Sequence, residues 1–124
     1  MRTLLLVSFA VIFLAGCGVG SPICAGTSCD CTIGNCSFDG CNSSTTSCRY
    51  DCGPNTTCTG TCGPDCRINC QGTSCSHSAG PGSHVECVHG DCNITCNGTC
   101  TAEGSQGMLH LTCVGSTMGP TGCE

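Results

Sequence analysis

Cysteine is the residue type with which this chain could do most chemistry, because 19 of its 124 residues are cysteines. Thiolates bind zinc, copper and iron–sulfur clusters, and thiols also pair as disulfides. Zinc ribbons, thioredoxin-like redox sites and c-type haem attachment all use a C-x-x-C motif, and no successive cysteines here have that spacing. Only Cys29 and Cys31 form a C-x-C pair. The spacing therefore favours a disulfide scaffold over a metal–thiolate protein.

Histidine is the second residue type that could bind a metal or act as a general base. The four histidines are His77, His84, His89 and His110. None is paired with another at the spacing of an H-x-x-x-H metal site, so we expect exposed residues of strands or loops. G-x-S-x-G and nucleotide-binding loops are also missing from the sequence. The sequence predicts no enzyme, no catalytic residue, no metal and no cofactor.

Short apolar-x-Cys units recur along the chain, each followed by a glycine. The clearest copies occupy residues 68–75, 85–92 and 94–100, with looser copies at 23–29 and 111–115. Alternation with a period of two predicts a short strand with one buried face, and the glycine predicts a tight turn after it. No 3.6-residue apolar period is present, and the abundant Gly, Ser, Thr, Asn and Pro are poor helix formers. We therefore expect an all-β fold.

The spacing of four cysteines suggests that these units stack. Cys70, Cys87, Cys96 and Cys113 are separated by 17, 9 and 17 residues, near multiples of about 8.5, and a fixed period is typical of solenoids. The N-terminal half, from Cys24 onwards, fits this period poorly. Two architectures remain open, both small and disulfide-rich: a short-strand β-solenoid-like stack, or an irregular disulfide-knotted β domain.

The stacked alternative makes specific predictions about the interior. It places four apolar residues in one buried strip: Ile68, Val85, Ile94 and Leu111. Neighbouring strands lie about 4.8 Å apart and bridged cysteines need α-carbons about 4.4–6.8 Å apart, so stacked cysteines on neighbouring strands could bond. We expect bridges mainly between cysteines within about 20 residues of each other, although the sequence does not assign the pairing.

Disulfides must replace a conventional core in this chain. After residue 16, only eleven residues are Ile, Leu, Val or Phe, well below the roughly 20% at which disorder is expected. Each disulfide typically contributes about 2–4 kcal/mol, and up to nine can form from the eighteen cysteines after Cys17. These disulfide candidates are Cys24, Cys29, Cys31, Cys36, Cys41, Cys48, Cys52, Cys58, Cys62, Cys66, Cys70, Cys75, Cys87, Cys92, Cys96, Cys100, Cys113 and Cys123.

The charge of the chain excludes one class of partner. Without Arg2, two arginines and no lysine stand against five Asp and three Glu, a formal net charge of −6. Such a chain cannot neutralise a phosphate backbone, so we expect no nucleic-acid partner.

The N-terminal segment has the features of an export signal. Arg2 precedes an uncharged apolar run over residues 3–13, and a basic start, a short apolar run and small residues at the cut are typical of a secretory signal peptide. The sequence Leu14-Ala15-Gly16-Cys17 resembles the lipobox of bacterial lipoproteins. The resemblance implies that residues 1–16 are removed and that Cys17 is lipidated by diacylglyceryl and acyl (palmitate-type) chains. Gly18, where an inner-membrane retention signal has Asp, implies an outer-membrane or cell-surface location.

These observations divide the chain into a signal peptide at 1–16, a tether at 17–22 and one Cys-rich domain at 23–124. The expected function is a lipid-anchored, disulfide-stabilised surface lipoprotein with a structural or interaction role. Its membrane contact is the lipid, and its protein or cell-envelope partner is unidentified. One alternative is a thiol-rich metal-binding or redox protein. Another is a secreted eukaryotic N-glycosylated protein, because five asparagines stand in N-x-[ST] sequons. These are Asn35, Asn42, Asn55, Asn93 and Asn97.

Overall fold

The computed structural model describes residues 22–38, 41 and 47–124, and all regular structure in them is β. The thirteen strands are β1 (Ile23–Ala25), β2 (Ser28–Cys31), β3 (Asn35–Phe38), β4 (Arg49–Cys52), β5 (Thr57–Cys62), β6 (Arg67–Cys70), β7 (Ser74–Ala79), β8 (Ser83–Cys87), β9 (Asp91–Asn97), β10 (Cys100–Gly104), β11 (Met108–Val114), β12 (Met118–Gly119) and β13 (Gly122–Cys123). No helix of these residues is long and apolar enough to cross a membrane. The signal peptide, Cys17 and the tether up to residue 21 lie outside the described residues.

The strands form a β-solenoid of about five turns, which confirms the stacked alternative over the knotted one. Even-numbered strands pair in parallel in the order β2-β4-β6-β8-β10, and odd-numbered strands pair in parallel in the order β3-β5-β7-β9-β11. Each turn therefore contributes one strand to each of two facing sheets. Antiparallel strands end the first sheet on both sides, β1 beside β2 and the β12–β13 hairpin beside β10.

The strand register explains why the period is regular only in the C-terminal half. Ser74 pairs with Asp91, and these two residues are as far apart along the chain as the paired cysteines Cys70 and Cys87. Ser28 pairs with Arg49, and these two residues are further apart along the chain than Ser74 and Asp91 are. The additional residues fall between β3 and β4, so the first turn is longer while its strands keep the same stacking. A longer connection at a corner leaves the ladder hydrogen bonds intact.

The interior is a narrow space between the sheets, filled by inward-facing residues of both. Ile68 and Val85 pair on β6 and β8, whereas Ile94 and Leu111 pair on β9 and β11 of the other sheet. The prediction of one shared strip was therefore wrong, because the short step from Val85 to Ile94 crosses from one sheet to the other. Ile68, Val85 and Ile94 are at most 1% exposed, and Leu111 is half-buried near the C-terminal end.

Eight disulfides join the described cysteines, and all of them are local. They are Cys24–Cys29, Cys31–Cys36, Cys41–Cys48, Cys52–Cys58, Cys62–Cys66, Cys87–Cys92, Cys96–Cys100 and Cys113–Cys123. The expected short sequence separation is confirmed, with values from 4 to 10 residues. The expected bonding between stacked strands was wrong. The Cys24–Cys29 bridge closes the β1–β2 hairpin. Six bridges lie at corners between consecutive strands, and Cys113–Cys123 joins β11 to β13.

Candidate functional site

The third turn of the solenoid, formed by β6 and β7, has no disulfide at either corner. At its first corner, Cys70 and Cys75 are thiols. At its second corner, the positions held by bonded cysteines in the turns above and below are occupied by Ala79 and Ser83. The Ser83 hydroxyl oxygen accepts a hydrogen bond of 3.2 Å from the Cys66 amide. Among the described residues of β2 to β9, this is the turn that departs from the disulfide pattern.

Cys70 and Cys75 occupy positions where the neighbouring turns carry a disulfide. Cys70 pairs with Cys52 on one side and Cys87 on the other, and Cys75 pairs likewise between Cys58 and Cys92. Both thiols are 0% exposed. Nine bridges were expected from the cysteine count, and the structure instead keeps this pair as two hydrogen-bonded thiols beside a histidine.

His77 is buried in the same turn, with only 3% of its surface exposed. It is two residues after Cys75 on β7, so the alternation of the strand directs both side chains inward. The prediction that all four histidines are exposed was therefore wrong for His77, which pairs with the core residue Ile94 on the next turn. Gly60, its neighbour on β5, leaves the space that the imidazole uses: a Cβ built on Gly60 comes to 3.3 Å from the His77 Nδ1 atom.

The imidazole of His77 contacts two aromatic rings and lies near the Cys75 thiol. Its ring centroid lies 5.8 Å from those of Phe38 and Tyr50. Both ring nitrogens are buried and neither has a partner of ordinary hydrogen-bond geometry. Buried polar atoms without partners are costly and uncommon in folded proteins. These two nitrogens therefore identify a functional candidate rather than a packing residue.

The three side chains form one compact donor cluster. The Cys70 and Cys75 sulfurs and a His77 ring nitrogen all lie within 4.8 Å of one another. Hydrogen bonding with Cys70 and the proximity of His77 lower the pKa of the Cys75 thiol, despite its burial. The hydrogen bond with Cys75 and burial both raise the pKa of the Cys70 thiol. The pair thus holds one readily ionised thiol and one strongly protonated thiol, an arrangement suited to metal binding or to thiol chemistry.

The other three histidines lie on the surface, as predicted. His84 projects from the outer face of β8, where its Nε2 lies 3.2 Å from a Glu103 oxygen. His89 and His110 are exposed. None of the three belongs to a cluster of three or more metal-ligating groups among the described residues.

The two outer faces of the solenoid differ in chemistry. The sheet that contains β4 carries Arg49 and Arg67 in one row, and Arg49 forms an ion pair of 2.6 Å with Asp51. The facing sheet instead exposes short hydroxyl and amide side chains. Its outward rows include Thr57, Thr59 and Thr61 on β5, Ser74, Ser76 and Ser78 on β7, and Asn93, Thr95 and Asn97 on β9.

The sequon asparagines are on the surface wherever the structure describes them. Asn35, Asn93 and Asn97 are exposed strand residues, and Asn55 is an exposed turn residue with a φ of 59°. Asn42 lies outside the described residues. The repeated turn-and-strand unit places them outward whether or not they carry a glycan.

Comparisons with known protein families, with curated protein sequences and with solved structures found no match.

The buried cluster has a signal in the sequence, although it was missed. The number of residues between His77 and the core residue Ile94 equals the number between Cys70 and Cys87. Because this separation is the repeat length, His77 occupies a core position of the repeat. The long segment without cysteine between Cys75 and Cys87 also shows where the corner cysteines are missing. The pairing of Cys70 with Cys75 could be seen only once the corners were placed.

Proposed function

We propose that this protein is an exported, lipid-anchored and disulfide-stapled β-solenoid with a structural or interaction role at the cell surface. The observation that carries the proposal is the series of corner disulfides. Disulfides of this number persist in oxidising compartments outside the cytosol. The lipobox-like segment supplies the export signal and the anchor at Cys17.

The outer surface supports a role as a rigid display scaffold. Short strands closed by disulfides at their corners leave little freedom for the outer residues to move relative to one another. One face then presents Arg49, Asp51 and Arg67 in fixed rows, and the other presents rows of hydroxyl and amide groups. A partner would bind the face with Arg49, Asp51 and Arg67 through charged groups and the other face through hydrogen bonds.

The anchoring part of the proposal is tested with Cys17→Ser. A single acyl chain binds membranes marginally, whereas two or more anchor stably, so we expect unmutated protein in the membrane fraction with incorporated palmitate. The Cys17→Ser form should lose the label and appear in the soluble fraction. Cys24→Ser is the matched control, because it removes a nearby exposed cysteine of the domain and should leave labelling unchanged. Soluble, unlabelled unmutated protein would overturn the anchor.

A second candidate function is a thiol-based metal-binding protein. The specific observation in its favour is the buried cluster of Cys70, Cys75 and His77. A lipid-anchored scaffold does not require these three side chains to meet.

A further inference from the structure

We infer that Cys70, Cys75 and His77 form a binding site for one soft, thiophilic metal ion, and that Cu(I) is the ion it fits best. The inference does not depend on the anchoring of the chain. The three residues lie in the turn formed by β6 and β7, the one turn among the described turns from β2 to β9 that lacks corner disulfides.

The donor geometry matches a single metal ion. Metal–ligand bonds to thiolate and imidazole are about 2.3 and 2.0 Å long, so donors that share an ion lie about 4 Å apart. The three donor atoms here all lie within 4.8 Å of one another. The three donors are therefore close enough for one ion to be shared by all of them.

The unpartnered nitrogens of His77 give an independent reason for a ligand. Both are buried, and neither makes a hydrogen bond of ordinary geometry, so a metal–nitrogen bond would satisfy one of them. A disulfide between Cys70 and Cys75 would leave both unsatisfied. Gly60 is also required for this arrangement, since any side chain there would meet the Phe38 backbone and approach His77.

The number of donors favours Cu(I) over Zn(II). Zinc in closed protein sites takes four ligands, and the described cluster holds three groups, all essentially inaccessible to water. Cu(I) is a soft ion that thiolate and imidazole ligands both suit, and it is stable with three ligands.

Metal binding and disulfide formation compete for the same two sulfurs, but only metal binding involves the His77 imidazole. Each thiol that binds as a thiolate releases its proton to solvent, and no change of oxidation state occurs at sulfur. Disulfide formation would instead remove two electrons from the pair and would not involve the imidazole. The dependence of copper binding on His77 is thus the property to measure.

The experiment uses the natively purified protein under anaerobic conditions, with Cu(I) supplied as its complex with a competing chelator. We expect one Cu(I) per chain, and copper X-ray absorption showing sulfur and nitrogen neighbours. His77→Phe keeps an aromatic ring against Phe38 and Tyr50 but removes both nitrogens, and we expect it to weaken binding by about 10- to 100-fold. Cys75→Ser should act similarly. His89→Phe, at an exposed position, is the control that should leave binding unchanged.

Two further measurements keep the result unambiguous. Circular dichroism and the count of intact disulfides verify that each variant is folded, and titration with Zn²⁺ tests the choice of ion. Peptide mapping that finds Cys70 bonded to Cys75 in protein that takes up no copper would overturn the site. Unchanged Cu(I) affinity in a folded His77→Phe variant would also overturn it, and tighter binding of Zn²⁺ in a four-coordinate site would overturn the assignment to Cu(I).

Discussion

Phe38 and Tyr50 stack inside the solenoid with ring centroids 4.5 Å apart and ring planes 13° from parallel. The two rings come from opposite sheets, Phe38 from β3 and Tyr50 from β4. The Tyr50 hydroxyl donates a hydrogen bond of 2.9 Å to the Thr61 carbonyl and also lies near the carbonyls of Phe38 and Cys41. Both side chains are 0% exposed, so this pair fills the interior beside the long first turn.

Removal of the tyrosine hydroxyl should destabilise the fold. We expect Tyr50→Phe to lower the free energy of unfolding by about 1–3 kcal/mol, because a buried carbonyl loses its donor while the stacked ring remains. Urea denaturation with the disulfides intact measures the change. Ser76→Ala removes an exposed hydroxyl from β7 and should change stability by less than about 0.5 kcal/mol. Equal effects of the two substitutions would contradict the assigned role of Tyr50.

Gly60 should not tolerate a side chain. A Cβ at this position lies 2.7 Å from the Phe38 carbonyl oxygen and 2.9 Å from the Phe38 Cβ, so we expect Gly60→Ala to cost about 1–3 kcal/mol by overpacking. Gly104→Ala is the matched control, since its nearest atoms are at 3.5 Å. Thermal or denaturant unfolding of the two variants provides the comparison. A fully stable Gly60→Ala protein would show that β3 and β5 leave more space at this position than described.

The second corner of the third turn should accept an additional disulfide. Ala79 pairs with Cys62 and Cys96, and Ser83 pairs with Cys100, so the backbone there already follows that of bonded corners. We expect Ala79→Cys combined with Ser83→Cys to form a bridge and to stabilise the protein by about 2 kcal/mol, the value for a very short loop. Mass spectrometry detects the bridge, and either single substitution serves as the control. A double variant that retains both thiols after oxidation would contradict the equivalence of the corners.

Disulfide mapping should return only local links. We expect the eight pairs of the structure, with the largest separation between Cys113 and Cys123, because the corner geometry brings together cysteines of one turn. Proteolysis at low pH, which suppresses disulfide exchange, followed by mass spectrometry identifies the linked peptides. Links between the first and last thirds of the chain would be incompatible with a solenoid.

Reduction should unfold the protein more completely than heat does. Few aliphatic residues remain to hold the chain once the disulfides are opened, and chains so poor in these residues are normally disordered. We expect the strand signal in circular dichroism to persist on heating without reductant and to disappear after reduction under otherwise identical conditions. Retention of the strand signal in fully reduced protein would mean that the interior of Tyr50, Phe38 and the aliphatic residues is sufficient by itself.

The sequence by itself determined the local features of this protein. Period-two alternation around Ile68 and Val85 predicted short strands, and the regular spacing that includes Cys70 and Cys87 predicted that these strands stack. The short range of the disulfides was also predicted, although from bonding between stacked strands, which the structure does not show. These predictions succeed because each depends on residues close together in the chain, where strand geometry fixes which side chains share a face.

The tertiary structure alone decided which side chains meet across the interior. Ile68 and Ile94 belong to different sheets, and the cysteines of one turn bond at a corner instead of between stacked strands. The burial of His77 beside Cys70 and Cys75 likewise depends on how the two sheets face each other. A linear pattern records the period of the repeat but not how each turn closes, because closure depends on the geometry of every corner and on the distance between the sheets.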